Sequence, residues 1–126
     1  MVYTIVVHLY AKDNEEDISK LKAKLVEASG VYSKDKETLG WHVMQDVSDA
    51  RKFTIVERYL QESSQSYHLN NPYWQTFDPY VNPLLDKPMD LHRFNELSQS
   101  ATAASSHYHE DAAKDTTVGE MYEEAV

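Results

Sequence analysis

The stretch "TLGWHVMQDVSDARKFTIVERYL", Thr38 to Leu60, decides the fold. Residues 39–47 and 51–60 are rich in β-branched and aromatic side chains, and "SDA" between them is a short polar loop, so the two runs predict a β-hairpin. Working outward, "VYTIVVHLY" (2–10) predicts a further strand, buried on both faces. Val2, Thr4, Val6, His8 and Tyr10 share one of its faces, and Tyr3, Ile5, Val7 and Leu9 the other. Between strand and hairpin, Ile18, Leu21, Leu25, Ala28 and Tyr32 follow helical spacing. Asp13 and Glu16 suggest a capping box at the start of this helix, and Gly30 suggests its end.

After the hairpin, three pairs recur: Asn71-Pro72, Asp78-Pro79 and Asn82-Pro83. Each joins a good N-cap residue to a proline suited to the first helical position, so 62–85 predicts two or three short helical pieces rather than one rod. "KPMDLHRFNEL" (87–97) supplies a fourth strand. The order is β-α-β-β-α-β, an α+β, ferredoxin-like arrangement with an antiparallel sheet. Residues 1–97 form the expected domain, and 98–126 an acidic, largely flexible tail with a short helix at 118–125.

Composition narrows the function classes. With no cysteine there is no disulfide, no thiolate metal site and no cysteine nucleophile. The formal charge is −9, and residues 98–126, with six acids and one lysine, carry −5 of it. That balance argues against nucleic acid as a partner. No run approaches the ~20 apolar residues of a membrane span, and the N-terminus lacks a signal-peptide pattern, so the expectation is a cytoplasmic protein with no membrane partner. Three glycines cannot form a nucleotide-binding loop.

The strand order, Gly40 at the start of strand two, "IVERY" (55–59), His68 nine residues after Tyr59, and the aromatic run "NPYWQTF" (71–77) together resemble the antibiotic biosynthesis monooxygenase (ABM) family. The resemblance implies a homodimeric α/β barrel, sheet packed on sheet, with a pocket between each sheet and its helices. It also implies a cofactor-independent monooxygenase, needing no flavin, haem or metal, that forms the anion of a hydrophobic aromatic, quinol-like or polyketide-like small molecule and lets it react with O2. A non-oxidative isomerase or decarboxylase using the same pocket, or a non-catalytic binding or stress-response dimer, are the alternatives. Haem-degrading relatives carry a histidine about ten residues beyond the position of His68, and here that region reads "FDPY".

On this resemblance His68 is the candidate base, since a neutral imidazole accepts a proton near pH 7; a helix histidine bonded to a neighbouring carboxylate or carbonyl is the other reading. His8 is a second catalytic candidate, on a strand face expected to turn toward the helices. Val6, Tyr73, Trp74 and Phe77 would shape the substrate pocket, with Tyr80 on the same aromatic stripe. Glu57 and Tyr59 alternate onto one strand face and read as structural or dimer-forming, with Arg58, Arg93 or a partner group satisfying the buried acid. His107 and His109 lie beside Glu110 and Asp111, but an acidic tail offers no preorganised ligands, so no metal is expected.

Overall fold

In the computed structural model, which describes residues 1–97, strand β1 (Tyr3–Tyr10) leads into helix α1 (Glu15–Tyr32) and then the hairpin of β2 (Thr38–Gln45) and β3 (Lys52–Tyr59). A 3-10 turn at Glu62–Ser64 opens directly into α2 (Gln65–Leu69). Helix α3 (Trp74–Val81), a second 3-10 turn at Asn82–Leu84, and β4 (Asp90–Asn95) complete the fold. The four strands form one sheet in the order β2-β3-β1-β4, with every neighbouring pair antiparallel. This is the expected ferredoxin-like α+β arrangement. The tail, its predicted helix, His107 and His109 lie outside the described residues.

The period of two assigns the faces. Tyr3, Ile5, Val7 and Leu9 of β1 are buried, as are Phe53, Ile55, Glu57 and Tyr59 of β3. Cross-strand pairing places Trp41 of β2 opposite Glu57, and Arg93 of β4 opposite Ile5, on this same inner face. Leu21, Leu25, Ala28 and Tyr32 of α1 cover it, together with Phe77 and Val81 of α3. Removing such side chains from water stabilises the fold by roughly 1.5–3 kcal/mol each. Ser29 Oγ ties helix to sheet by donating to the carbonyl of Trp41 at 2.7 Å.

Two expectations are corrected here. The β1 face bearing Val6 and His8 points away from the helices: Val6 is half-buried against Val56 and His92, and His8 is exposed. That face carries a threonine and a histidine where its opposite is wholly apolar, and the apolar set takes the core. Apart from Thr4, only the Tyr3, Ile5, Val7 and Leu9 face of β1 is buried within the described residues. In the helical segment, Val81 rather than Tyr80 completes the buried stripe of α3, and Tyr80 is 44% exposed.

The prolines act unevenly. Asn71 accepts a hydrogen bond from the backbone N–H of Tyr73 at 3.0 Å, a local turn that sets up α3, and Pro83 lies in the first turn of the second 3-10 piece. Asp78-Pro79 starts nothing, for Pro79 sits inside α3. Its missing N–H removes one hydrogen bond from the exposed side of a short helix.

The first helix is capped one residue later than Asp13 suggests. Asn14 Oδ1 accepts from the backbone N–H of Asp17 at 2.8 Å, and α1 runs through Gly30 to Tyr32. Asn14→Ala is therefore expected to lower unfolding stability by about 1 kcal/mol in urea titration, whereas Asp13→Ala should change it by less than about 0.5 kcal/mol.

Candidate functional site

Between the inner sheet face and the helices lies a cavity of about 370 Å³. Ile5, Val7 and Ile55 form its floor, and Tyr32, Trp41, Trp74 and Phe77 contribute aromatic walls. Glu57, His68, Asp78 and Arg93 are charged or chargeable side chains in its lining.

Glu57 is there because strand alternation carries it inward between Ile55 and Tyr59. One carboxylate oxygen, Oε1, accepts a hydrogen bond from Tyr59 Oη at 2.6 Å. Burial pushes the carboxyl above its ordinary pKa, opposed by the Tyr59 hydroxyl, the Trp41 indole and the more remote Arg93 guanidinium. The indole N–H turns to the carboxylate without completing a hydrogen bond. Arg58, one expected partner, lies on the other face and pairs with Glu96 at 2.7 Å. Glu57 is thus a cavity acid and not part of the outer face.

His68 comes from α2 and wedges among rings: its centroid lies 4.2 Å from Tyr32 and 6.1 Å from both Trp41 and Tyr59. Its Nδ1 is sealed from solvent and has no hydrogen-bond partner among the described residues. Its Nε2 stands 3.7 Å from Glu57 Oε1, beyond hydrogen-bond reach. Burial alone pushes the imidazole from 6.5 down to about 4, so it is neutral at physiological pH. Burial, then the nearby carboxylates, also drives the Tyr32 and Tyr59 hydroxyls upward, and both stay protonated.

Of the expected site residues, the structure brings together His68, Trp74 and Phe77. Tyr73 stands behind the wall: its ring packs edge-on against Tyr32 at 5.2 Å, and its hydroxyl bonds to Glu27 on α1. Val6 and His8 are on the opposite side of the sheet. His8 Nδ1 lies 3.1 Å from Thr54 Oγ1 and its ring meets His92 edge-on, beside a broader depression of about 660 Å³ lined by Tyr10, Met44 and Asp90 among others. His8 therefore cannot reach a ligand held by His68. Tyr32, Trp41, Asp78 and Arg93 were not anticipated in the site. Parity was the available signal for Glu57 and Trp41: an acid between Ile55 and Tyr59 on an otherwise apolar face is an anomaly. Among the described residues no three His, Asp or Glu side chains are arranged to hold a metal ion, and no helix is long and apolar enough to cross a membrane.

The sign of the His68 effect follows from proton linkage. The unfolded chain protonates this imidazole below its ordinary pKa of 6.5, whereas the folded chain resists until about 4. The His68 contribution to stability is therefore intact above about pH 6.5 and lost as pH falls toward about 4, on the order of 3 kcal/mol in total. Urea unfolding of wild type and His68→Gln between neutrality and pH ~4 should show this loss in the wild type alone.

No family model and no curated protein matches the chain. Solved structures do. Rv0793 from Mycobacterium tuberculosis superimposes with a TM-score of 0.71 at 14% identity, covering 80% of this chain and 100% of that one. PA3566 from Pseudomonas aeruginosa gives 0.69 at 16% identity over 77% and 95%. A structure named antibiotic biosynthesis monooxygenase gives 0.68 at 12% identity over 76% and 99%. At these identities the likeness carries the architecture: the chain has the ferredoxin-like α+β fold of proteins named antibiotic biosynthesis monooxygenases.

Proposed function

We propose that the protein is a cofactor-independent monooxygenase for a hydrophobic, planar hydroxyaromatic or quinol-like molecule. One observation carries this reading: a buried acid–base pair, Glu57 and His68, set into the wall of an aromatic-lined cavity of about 370 Å³. That volume suits a small ring system. The aromatic walls accept its faces, and the Glu57–His68 pair addresses its hydroxyl. Loss of that proton yields an electron-rich anion able to reduce O2 directly. For an anthrone-type substrate, the ring CH2 becomes C=O, one oxygen atom is retained and the other leaves as water, so the substrate supplies all the electrons. The dry walls keep the anion from bulk solvent while it reacts. The proposed assembly is a homodimer with the outer sheet faces apposed, which would cover Val6, Val56 and Phe94.

The same pair also favours a second reading, a non-oxidative isomerase or decarboxylase. A carboxylate beside a neutral imidazole is an arrangement that enolises carbonyl compounds.

Oxygen consumption by the purified protein on a panel of anthrones and naphthoquinols, without added flavin or metal, tests the first reading. Uptake is expected, and His68→Ala or Glu57→Gln should reduce it by about 100-fold or more. Turnover of these compounds at equal rate under nitrogen would establish the second reading instead, and ligand-induced thermal stabilisation without product in either atmosphere would overturn both.

A further inference from the structure

The positions of Glu57 and His68 divide their labour in a way that residue type does not suggest. The sealed His68 Nδ1 has no access to a ligand, so the imidazole must meet one through Nε2. A neutral imidazole carries one N–H, and the carboxylate 3.7 Å from Nε2 favours having the proton on that nitrogen; a bare lone pair there would face negative charge. His68 in the resting site is consequently a hydrogen-bond donor with no lone pair available to a substrate. Glu57 is the complementary acceptor. Tyr59 supplies the one hydrogen bond its side chain receives among the described residues, whereas a carboxylate buried for structure alone is normally satisfied more fully. The separation of 3.7 Å is too long for a direct bond but lets a single oxygen approach both atoms at roughly 2.8 Å.

We propose that Glu57 is the proton acceptor of this site and His68 the neutral donor that holds the resulting oxyanion, with a hydroxyaryl or enol oxygen bound between them. The substrate O–H bond breaks, the proton joins the Glu57 carboxylate, and the electron pair stays on the substrate oxygen, which receives the Nε2–H. The negative charge passes from carboxylate to substrate, so the cavity's net charge does not change and no buried imidazolium forms. Tyr59 holds the carboxylate through Oε1. The other polar groups lining the cavity are Gln65 on α2, Trp41 on β2, Tyr32 on α1, Trp74 and Asp78 on α3, and Arg93 on β4. Among the described residues Glu57 is the carboxylate that comes within 4 Å of a His68 nitrogen.

This proposal rests on the hydroxyaromatic reading above but is separable from the oxygen chemistry. The test uses a graded series of nitro-substituted naphthols, whose phenolates absorb at longer wavelength than the neutral forms. Bound to wild type in buffer below their solution pKa, they are expected to show the phenolate band together with the infrared carbonyl band of a protonated carboxylic acid. Glu57→Gln, which keeps the side-chain shape and an oxygen for Tyr59, should bind the naphthol neutral and lose both bands. His68→Leu, which has no N–H to donate, should still ionise it, with affinity lowered ~10-fold for the lost donor. Nitrogen-15 NMR of His68 in the wild-type complex should show a single protonated nitrogen. A doubly protonated imidazole there, an unchanged phenolate band in Glu57→Gln, or no naphthol binding to wild type at millimolar concentration would each overturn the proposal. If Glu57→Gln fails to fold, the wild-type NMR and infrared signals decide alone. Ionisation without oxygen uptake would sink the monooxygenase reading while leaving this one standing.

Discussion

A carboxylate kept out of water on the inner face of β3 is the constraint around which the molecule is organised. Glu57 follows Ile55 and precedes Tyr59 on a pleat that admits no other direction, and neighbouring strands flank it with Trp41 and Ile5. Burying such a group is costly unless its surroundings compensate. The Tyr59 hydroxyl does part of this, two residues along the same strand. What Tyr59 leaves undone makes the cavity chemically distinctive: an acid with raised proton affinity, beside an imidazole with lowered proton affinity. The two shifts share a cause in burial and move in opposite directions because the charged forms differ in sign.

Much of the architecture is legible in the sequence. Ile18, Leu21, Leu25, Ala28 and Tyr32 announce one helix face, and the hairpin signal is local, needing only two β-rich runs around a polar loop. The broken connection after Tyr59 was readable because proline has a definite steric meaning. Individual prolines were less so. Pro79 is tolerated within α3 because that side of the helix is exposed, and exposure is a tertiary property that no dipeptide reports.

The site was legible only in part, for two physical reasons. The family resemblance, joined to the proton chemistry of imidazole, singled out His68 and His8 alike; the sheet then separates them onto opposite faces. The more apolar set of β1, Tyr3 with Ile5, Val7 and Leu9, was the better guide to the inside. Tyr32, Asp78 and Arg93 arrive from three different elements, and only packing brings α1, α3 and β4 to one cavity. Glu57 was visible as an anomaly, but its direction of ionisation and its relation to Nε2 are distances rather than patterns.

The two halves of the acid–base pair stand on elements of very different durability. Glu57 and Tyr59 belong to β3, paired along its length on both sides by β1 and β2. His68 belongs to a five-residue helix with no side-chain cap, far shorter than a helix that holds together by itself. Local opening draws on the weakly supported element first. Fraying of α2 would expose the cavity and return the imidazole to water, where its basicity reverts, while the acid and its tyrosine stay in register. The acid is thus anchored by the sheet's hydrogen-bonded ladder, whereas the imidazole is held in place by the rings it packs against, Tyr32, Trp41 and Tyr59.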